Sequence, residues 1–361
     1  MFQEPTSMSP YSPGIAPDDL RLIIEKTAPV VWQALRGKRI FITGGTGFIG
    51  CWLLEALLWA DQHFQLELQL MVLTRRPAAF VAKAPHLAQH PAVRLIMGNV
   101  NALGGFNEPV DIVLHAATDV ANAGSDPCQV FDDIVDGTKE TLALAIRCKA
   151  QRYLLTSSGA VYGRQPGKMT HILEDYAGAP DTLQPNTAYG QAKRVSEWLV
   201  QCAASRHGID SRIARVFALL GPYLPLDAHF AAGNFIRDAM AGQEIKVSGD
   251  GTAFRSYLYA ADMVIWLLTI LVVGEPGQAY NLGSDQALTI RQLAATVSRV
   301  VLGEERFSVA AESVENAPAQ RYIPNIDKAC KDLNLFVHTD LPSAIRKTVD
   351  WTIMQSTASR T

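Results

Sequence analysis

The stretch KRIFITGGTGFIG (residues 38–50) constrains the fold of this chain more than any other. A short run of β-branched and aromatic residues feeds directly into glycines, and the glycines open the apolar helical pattern FIGCWLLEALLWA. A strand that turns tightly into a helix begins a βαβ unit, whose next strand must return parallel to the first. A parallel sheet in turn needs helices on both faces.

The sequence keeps that rhythm. LELQLMVLT, VRLIMGNV, VDIVLHAA and RYLLTSS read as further strands, and IDSRIARVFALLG as a sixth. Helices are expected around VFDDIVDGTKETLALAIRCKA and from Tyr189 to about Arg206. Ahead of the unit, residues 1–16 are rich in Pro, Ser and Met and read as disordered. Residues 17–35 have apolar side chains at helical spacing, with Asp18 or Asp19 as a cap and Pro29 as a kink or break. Beyond Gly221 the pattern becomes irregular. The expected division is an N-terminal extension (1–37), a dinucleotide-binding domain carrying the catalytic residues (38–220) and a mainly substrate-binding lobe (221–361), interleaved with it. The fold class is α/β, a Rossmann-type doubly wound parallel sheet with a smaller C-terminal substrate-binding α/β lobe.

A net charge of −3 over 361 residues, with both signs mixed, provides no basic face for nucleic acid or an anionic membrane. The longest apolar run, MVIWLLTILVVG (263–274), is too short to span a bilayer and starts after Asp262, so it reads as a buried helix. The first residues lack a basic region followed by an apolar core, and the five cysteines are scattered without a CxxC pair. A cytoplasmic protein with reduced thiols and no metal site is expected.

Gly44, Gly47 and Gly50 stand at G-x-x-G-x-x-G spacing between strand and helix. Such a turn lets backbone approach a pyrophosphate, with Thr46, Phe48 and Ile49 offering N–H groups at the helix start. An acid at the end of the second strand would select NAD through the ribose hydroxyls. Thr74 stands there instead, followed by Arg75 and Arg76, whose guanidinium groups suit a 2′-phosphate. NADP is therefore favoured over NAD. Asn99 and Val100 after the third strand, and Ala116, Ala117 and Thr118 after the fourth, are placed to line the dinucleotide.

Tyr189 and Lys193, in AYGQAKRVSEWL, project from one helix face. An ammonium beside a tyrosine favours the phenolate and makes it a usable base. A YxxxK pair alone also occurs as an ordinary helix-surface contact. TSSGAVYG (156–163) adds two adjacent serines at a strand end. Taken in order, ITGGTGFIG, DIVLHAA, TSSGAVYG, YxxxK and GDGTAFRSYLYAADM resemble the extended short-chain dehydrogenase/reductases, in particular the nucleotide-sugar epimerase/dehydratase family, from about Lys38 to Trp351.

The resemblance implies that Tyr189 removes the proton of a sugar hydroxyl, usually at C4, while hydride leaves for the nicotinamide. Ser158 would hold the same oxygen, Lys193 would grip the nicotinamide ribose, and Ser157 would be a structural strand-end residue near the nicotinamide. It further implies that Arg255 and Arg321 clamp a diphosphate, that Asn234 and Asp119 line the substrate, and that the chain forms a homodimer through the helices around GTKETLALAIRCKA and Tyr189. Dehydratases of the family carry an Asp-Glu pair after the catalytic hydroxyl residue, and decarboxylases a Glu at the second place. Gly159 and Ala160 stand here. Ile134, Ala218 and Asn99 replace other family residues. An NDP-sugar epimerase is the leading expectation, with an NADPH-dependent 4-ketosugar reductase as alternative. A dehydratase or decarboxylase would need an acid/base from elsewhere, such as Asp119 or the Glu174-Asp175 pair. A non-catalytic dinucleotide sensor would not need Ser158, Tyr189 and Lys193 together.

Overall fold

The structure is a computed structural model that describes residues 12–118, 126–228, 230–311 and 319–358. Strand β1 (Arg39–Thr43) alternates its side chains between two cores: Ile40 and Ile42 point to one face of the sheet, Phe41 to the other. Its neighbours are β2 (Gln69–Thr74) and β4 (Ile112–His115), both parallel, with Ile40 in register with Leu70 and Ile112. With β3 (Val93–Met97), β5 (Arg152–Ser158) and β6 (Asp210–Val216) they form most of a seven-stranded parallel sheet. The seventh member, β11 (Ala279–Leu282), joins from beyond residue 220, giving the order β11-β6-β5-β4-β1-β2-β3. The chain reverses direction across the sheet between β1 and β4, where doubly wound folds open a crevice at the strands' carboxyl ends.

Two helix layers close the faces. Helices α1 (Pro17–Lys26), α2 (Pro29–Leu35), α3 (Phe48–Phe64) and α9 (Ala260–Val273) bury Leu20, Ile23, Trp32, Trp52 and Trp266 on one side. On the other, α6 (Pro127–Arg147) and α7 (Ala188–His207) cover Phe41, Tyr153 and Ile213 with Leu142, Leu144 and Val200. Helix α9 is the apolar run read as buried, and Ala260 to Val272 are all buried. Among the described residues no helix is long and apolar enough to cross a membrane.

The helical reading of residues 17–35 resolves into two helices, with Pro29 opening the second, where its missing N–H costs nothing. The expected cap does not form. The N-cap is Ala16, without a side-chain bond. Asp18 pairs with Arg21, while Asp19 is buried and accepts from the Tyr259 hydroxyl at 2.7 Å and from Lys347. A buried carboxylate must be satisfied, and its partners here come from α12 (Leu341–Ala358) and a distant strand.

Between β2 and β3 lie the short helices α4 (Pro77–Lys83) and α5 (Pro85–Ala88). Beyond β6, β7 (Leu219–Leu220) pairs with β10 (Leu258–Tyr259), and β8 (Ile245–Val247) with β13 (Phe307–Val309). Strand β9 (Phe254–Arg255) lies between β12 (Leu288–Thr289) and β14 (Arg321–Tyr322). Helices α8 (Ala231–Met240), α10 (Ile290–Leu302) and α11 (Asp327–Leu333) complete this part.

Candidate active site

The three glycines of the first turn do different work. Gly44 has φ +70°, and a Cβ there would lie 2.5 Å from the Ala116 carbonyl oxygen. A Cβ on Gly50 would meet the Gly44 carbonyl oxygen and the Gly45 Cα at 2.3 Å, so α3 seats on its own entry turn only with glycine there. Gly47, the N-cap of α3, has an ordinary φ of −84°, and its Cβ would approach no neighbour nearer than 3.3 Å. Packing does not demand glycine at 47. Its exposed face leaves open the approach to the free N–H groups of Phe48 and Ile49, which suits an anion. The turn therefore fits a pyrophosphate. The exposed Lys83 of α4 donates to the Thr46 carbonyl at 2.8 Å and brings a cation to the same turn.

Thr74, at the end of β2, is buried, and its Oγ1 accepts from the Arg76 backbone N–H at 3.2 Å. Arg75 and Arg76 are exposed and form no side-chain hydrogen bond or ion pair with a described residue. Gly98 N–H donates to Thr74 O (3.1 Å), tying the end of β3 to β2, and places exposed Asn99 and half-buried Val100 beside them. After β4, the Ala116 and Ala117 N–H groups donate to Thr43 O and Oγ1 at 3.2 and 3.1 Å. This folds the end of β4 over the glycine turn.

Next to it sits the Tyr-Lys pair. Lys193 is buried, and its Nζ donates to Thr118 Oγ1 at 2.7 Å and Thr156 O at 2.8 Å. Burial lowers its pKa to about 8, while the charge of Glu197, one turn further along α7, works in the opposite direction. The ammonium lies 5.9 Å from the Tyr189 ring centroid. Tyr189 is half-buried with its phenol enclosed; that enclosure raises its pKa, and a hydrogen bond with Ser158 opposes the rise. Ser158 Oγ also accepts from Ala160 N–H at 3.2 Å. Ser157 turns elsewhere, donating to Glu197 at 2.5 Å. His115 is a packed residue: its Nδ1 meets Thr43 Oγ1 at 2.8 Å, and burial lowers its pKa to about 3.

Sequence reasoning missed Glu197, Arg215 and Tyr322. Glu197 is held by Arg215 at 2.8 Å and carries a negative charge beneath Lys193. Its spacing of four from Lys193 is a signal that could have been read. Tyr322 reaches from β14 to within 3.4 Å of Ser158 Oγ. The same short strand brings Arg321 beside Phe254, its guanidinium 4.0 Å above the ring, and places Tyr322 in register with Arg255. Arg255 donates to Phe254 O at 2.8 Å, and its charge bears on Tyr322. Asn234, on α8, accepts from Arg237 at 3.2 Å. Asp119 lies outside the described residues. Glu174 accepts from the Asn281 N–H at 2.9 Å and lines, with Asp175, a cavity of about 680 Å³ that also exposes Glu197 and Arg215.

The model of the NAD dependent epimerase/dehydratase family matches residues 40–283. The chain belongs to that family. Among the curated proteins it resembles, UDP-glucuronic acid decarboxylase 6 of Arabidopsis thaliana is 31% identical over 298 residues, 81% of this chain and 82% of that protein. UDP-glucuronic acid decarboxylase 1 of Xenopus tropicalis is 28% identical over 334 residues, covering 92% and 76%. Among solved structures, UDP-glucose 4-epimerase of Thermotoga maritima superposes with a TM-score of 0.74 at 20% identity, over 88% of this chain and 99% of that one. UDP-glucuronic acid 4-epimerase of Bacillus cereus in complex with NAD gives 0.71 at 20% identity, over 87% and 96%. These neighbours share the fold, a seven-stranded parallel sheet flanked by helices, and membership in the family makes the chain an NAD(P)-dependent enzyme.

Proposed function

We propose that this enzyme is an NDP-sugar epimerase working through oxidation at the sugar's C4. The observation that carries the reading is the cluster of Ser158, Tyr189 and Lys193 at the glycine turn, with Gly159 and Ala160 in place of carboxylates. Tyr189 takes the proton of the sugar hydroxyl, Ser158 holds that oxygen, and the Lys193 charge favours the phenolate. A nicotinamide dinucleotide supplies the hydride acceptor and donor. Its holders would be Gly44, Thr46, Gly47, Phe48 and Ile49 at the phosphates, Thr74 to Arg76 with Asn99 and Val100 toward the adenosine, and Ala116 to Thr118 with Ser157 along the nicotinamide half. Returning hydride to the other face of the C4 ketone completes an epimerisation with no further acid or base.

The two curated relatives named above are decarboxylases by name, which makes decarboxylation the second reading. Against it, Glu174 is engaged with Asn281 N–H, and its backbone carbonyl with Arg215, so neither partner of the Glu174-Asp175 pair is seen bonded to Ser158 or Tyr189. NADP(H) is the proposed form of the cofactor because Arg75 and Arg76 are unpaired among the described residues. Reduction of a 4-ketosugar with NADPH uses the same residues. Arg255 and Arg321, on adjacent strands, are the proposed diphosphate clamp. A homodimer through α6 and α7 is proposed, supported by Trp198 on α7, which is 64% exposed.

The test is incubation with UDP-, dTDP-, GDP- and CDP-sugars, with products identified by NMR. Inversion at one carbon of a recovered NDP-sugar is expected; release of carbon dioxide from an NDP-uronic acid would replace the epimerase reading by the decarboxylase one.

A further inference from the structure

Ser158 Oγ is shared by two phenols. One is Tyr322, 3.4 Å away on β14, and the other is Tyr189 of α7, whose phenol Ser158 influences by lowering its pKa. The chain makes room for the second phenol at a definite place. A Cβ at position 159 would lie 2.7 Å from the Tyr322 hydroxyl oxygen and 2.6 Å from the Phe217 ring. The Tyr322 ring is itself seated on Phe217, with centroids 4.7 Å apart. Glycine at 159 and the tyrosine hydroxyl beside Ser158 are therefore one arrangement: a side chain on the serine loop would displace the phenol.

We propose that Tyr322 is a further catalytic residue, a second hydroxyl donor to the substrate oxygen that Ser158 holds and Tyr189 deprotonates. This rests on the assignment of Ser158 and Tyr189 given above. No bond is made or broken at Tyr322. The proton of the sugar hydroxyl passes to the Tyr189 phenolate, and Tyr322 keeps its own proton, turning it toward the oxygen as that oxygen becomes a carbonyl. Hydroxyl donors aimed at an oxygen whose charge changes are effective in an enclosed site, because no solvent must reorganise. Each phenol has a cation near it, and burial raises the pKa of both. Tyr189 has Lys193 near its ring, and Tyr322 faces Arg255 from β9, the phenols of Tyr189 and Tyr162, and the Ser158 hydroxyl. Tyr322 is the donor in this proposal because its hydroxyl adjoins Ser158, and Tyr189 the base because Lys193 lies on its helix face. A ketone held by two hydroxyl donors is also polarised without a carboxylate on the serine loop.

The test uses the full chain with Tyr322→Phe, which keeps the ring on Phe217 and removes only the hydroxyl. Two readouts are taken. The first, independent of any sugar, is the ultraviolet phenolate titration of Tyr189 in the presence of added NAD+, obtained by subtracting the Tyr189→Phe protein. With Tyr322→Phe, Ser158 loses a partner that feeds its hydrogen bond to Tyr189. The Tyr189 titration is expected to move upward by a few tenths to about one pH unit. The second is turnover of whichever NDP-sugar the wild type converts. A fall in kcat of about 10²-fold with little change in KM is expected for one lost donor. Gly159→Ala, which pushes the hydroxyl away while leaving it present, should move the titration in the same direction. An unmoved titration in both variants, or a kcat within twofold of wild type, overturns the role of Tyr322 even if the sugar chemistry stands. A shifted titration in a protein that converts no NDP-sugar keeps Tyr322 in the hydroxyl cluster and rejects the functional reading.

Discussion

Replacing Gly47 and Gly50 separately by alanine distinguishes a glycine kept for a ligand from one kept for packing. At Gly50 the new methyl would stand 2.3 Å from the Gly44 carbonyl oxygen and Gly45 Cα, both backbone atoms that cannot swing away. Relief requires moving α3 against its turn, and overpacking of this kind costs about 1–3 kcal/mol. At Gly47 the nearest atom is the same oxygen at 3.3 Å, and φ of −84° suits alanine. There the gain from restricting the unfolded chain, about 0.4–1 kcal/mol, offsets the slight crowding. Stability should be unchanged or a little higher. Dinucleotide binding should move the other way, because the methyl occupies the exposed approach to the first N–H groups of α3. Loss of one hydrogen bond to a charged oxygen is worth about 1.5–3 kcal/mol. At ~1.4 kcal/mol per decade, that predicts roughly 10- to 150-fold weaker binding. Urea unfolding and fluorescence titration with NADH and NADPH measure the two quantities. Gly47→Ala binding within twofold of wild type, or as destabilised as Gly50→Ala, would refute the assignment of that space to a phosphate.

Three further outcomes follow from other contacts. Glu197→Gln removes the charge that props up the Lys193 pKa, so the Lys193 titration should fall further below about 8 and the alkaline limb of the pH–rate profile should move to lower pH; an unmoved limb contradicts the link. The sign for stability is opposite to that of a favourably paired lysine. With its folded pKa near 8, below its unfolded value, Lys193 makes stability rise with pH between those two values, and the variant should extend that window downward. Asp19→Ala leaves the buried Tyr259 hydroxyl without its acceptor and Lys347 without its acid, and should cost about 1–3 kcal/mol in urea unfolding, whereas no change would mean that α1 is not anchored there. Arg75→Ala with Arg76→Ala should weaken NADPH binding while leaving NADH nearly untouched; equal NADH and NADPH affinity in the wild type removes the preference for NADP.

What could be read from the sequence was whatever depends on neighbours along the chain. The short apolar run Ile40, Phe41 and Ile42, the glycine entry to α3 and the long apolar run of α9 are local patterns, and each became the element expected. The four-residue spacing of Tyr189 and Lys193 put both on one face for the same reason. Contacts between side chains far apart in sequence left no such trace. Asp19 looked like a helix cap because caps are local, yet its partners are Tyr259 and Lys347. Lys83 reaches the glycine turn from the variable stretch between the second and third strands, whose sequence pattern assigned it no element. Tyr322 meets Ser158 across 164 residues, and nothing in QRYIP announces a hydroxyl beside that serine. Gly159 read as the absence of an acid; its packing against Phe217 and Tyr322 is visible only in three dimensions.

The most direct measurement is single-turnover spectroscopy of the bound nicotinamide after mixing enzyme and oxidised dinucleotide with the converted NDP-sugar. The wild type should show transient reduction of the nicotinamide, and Tyr189→Phe should show none while binding the dinucleotide as tightly. A Tyr189→Phe enzyme that reduces its nicotinamide at the wild-type rate would contradict the assignment of that phenol as the base.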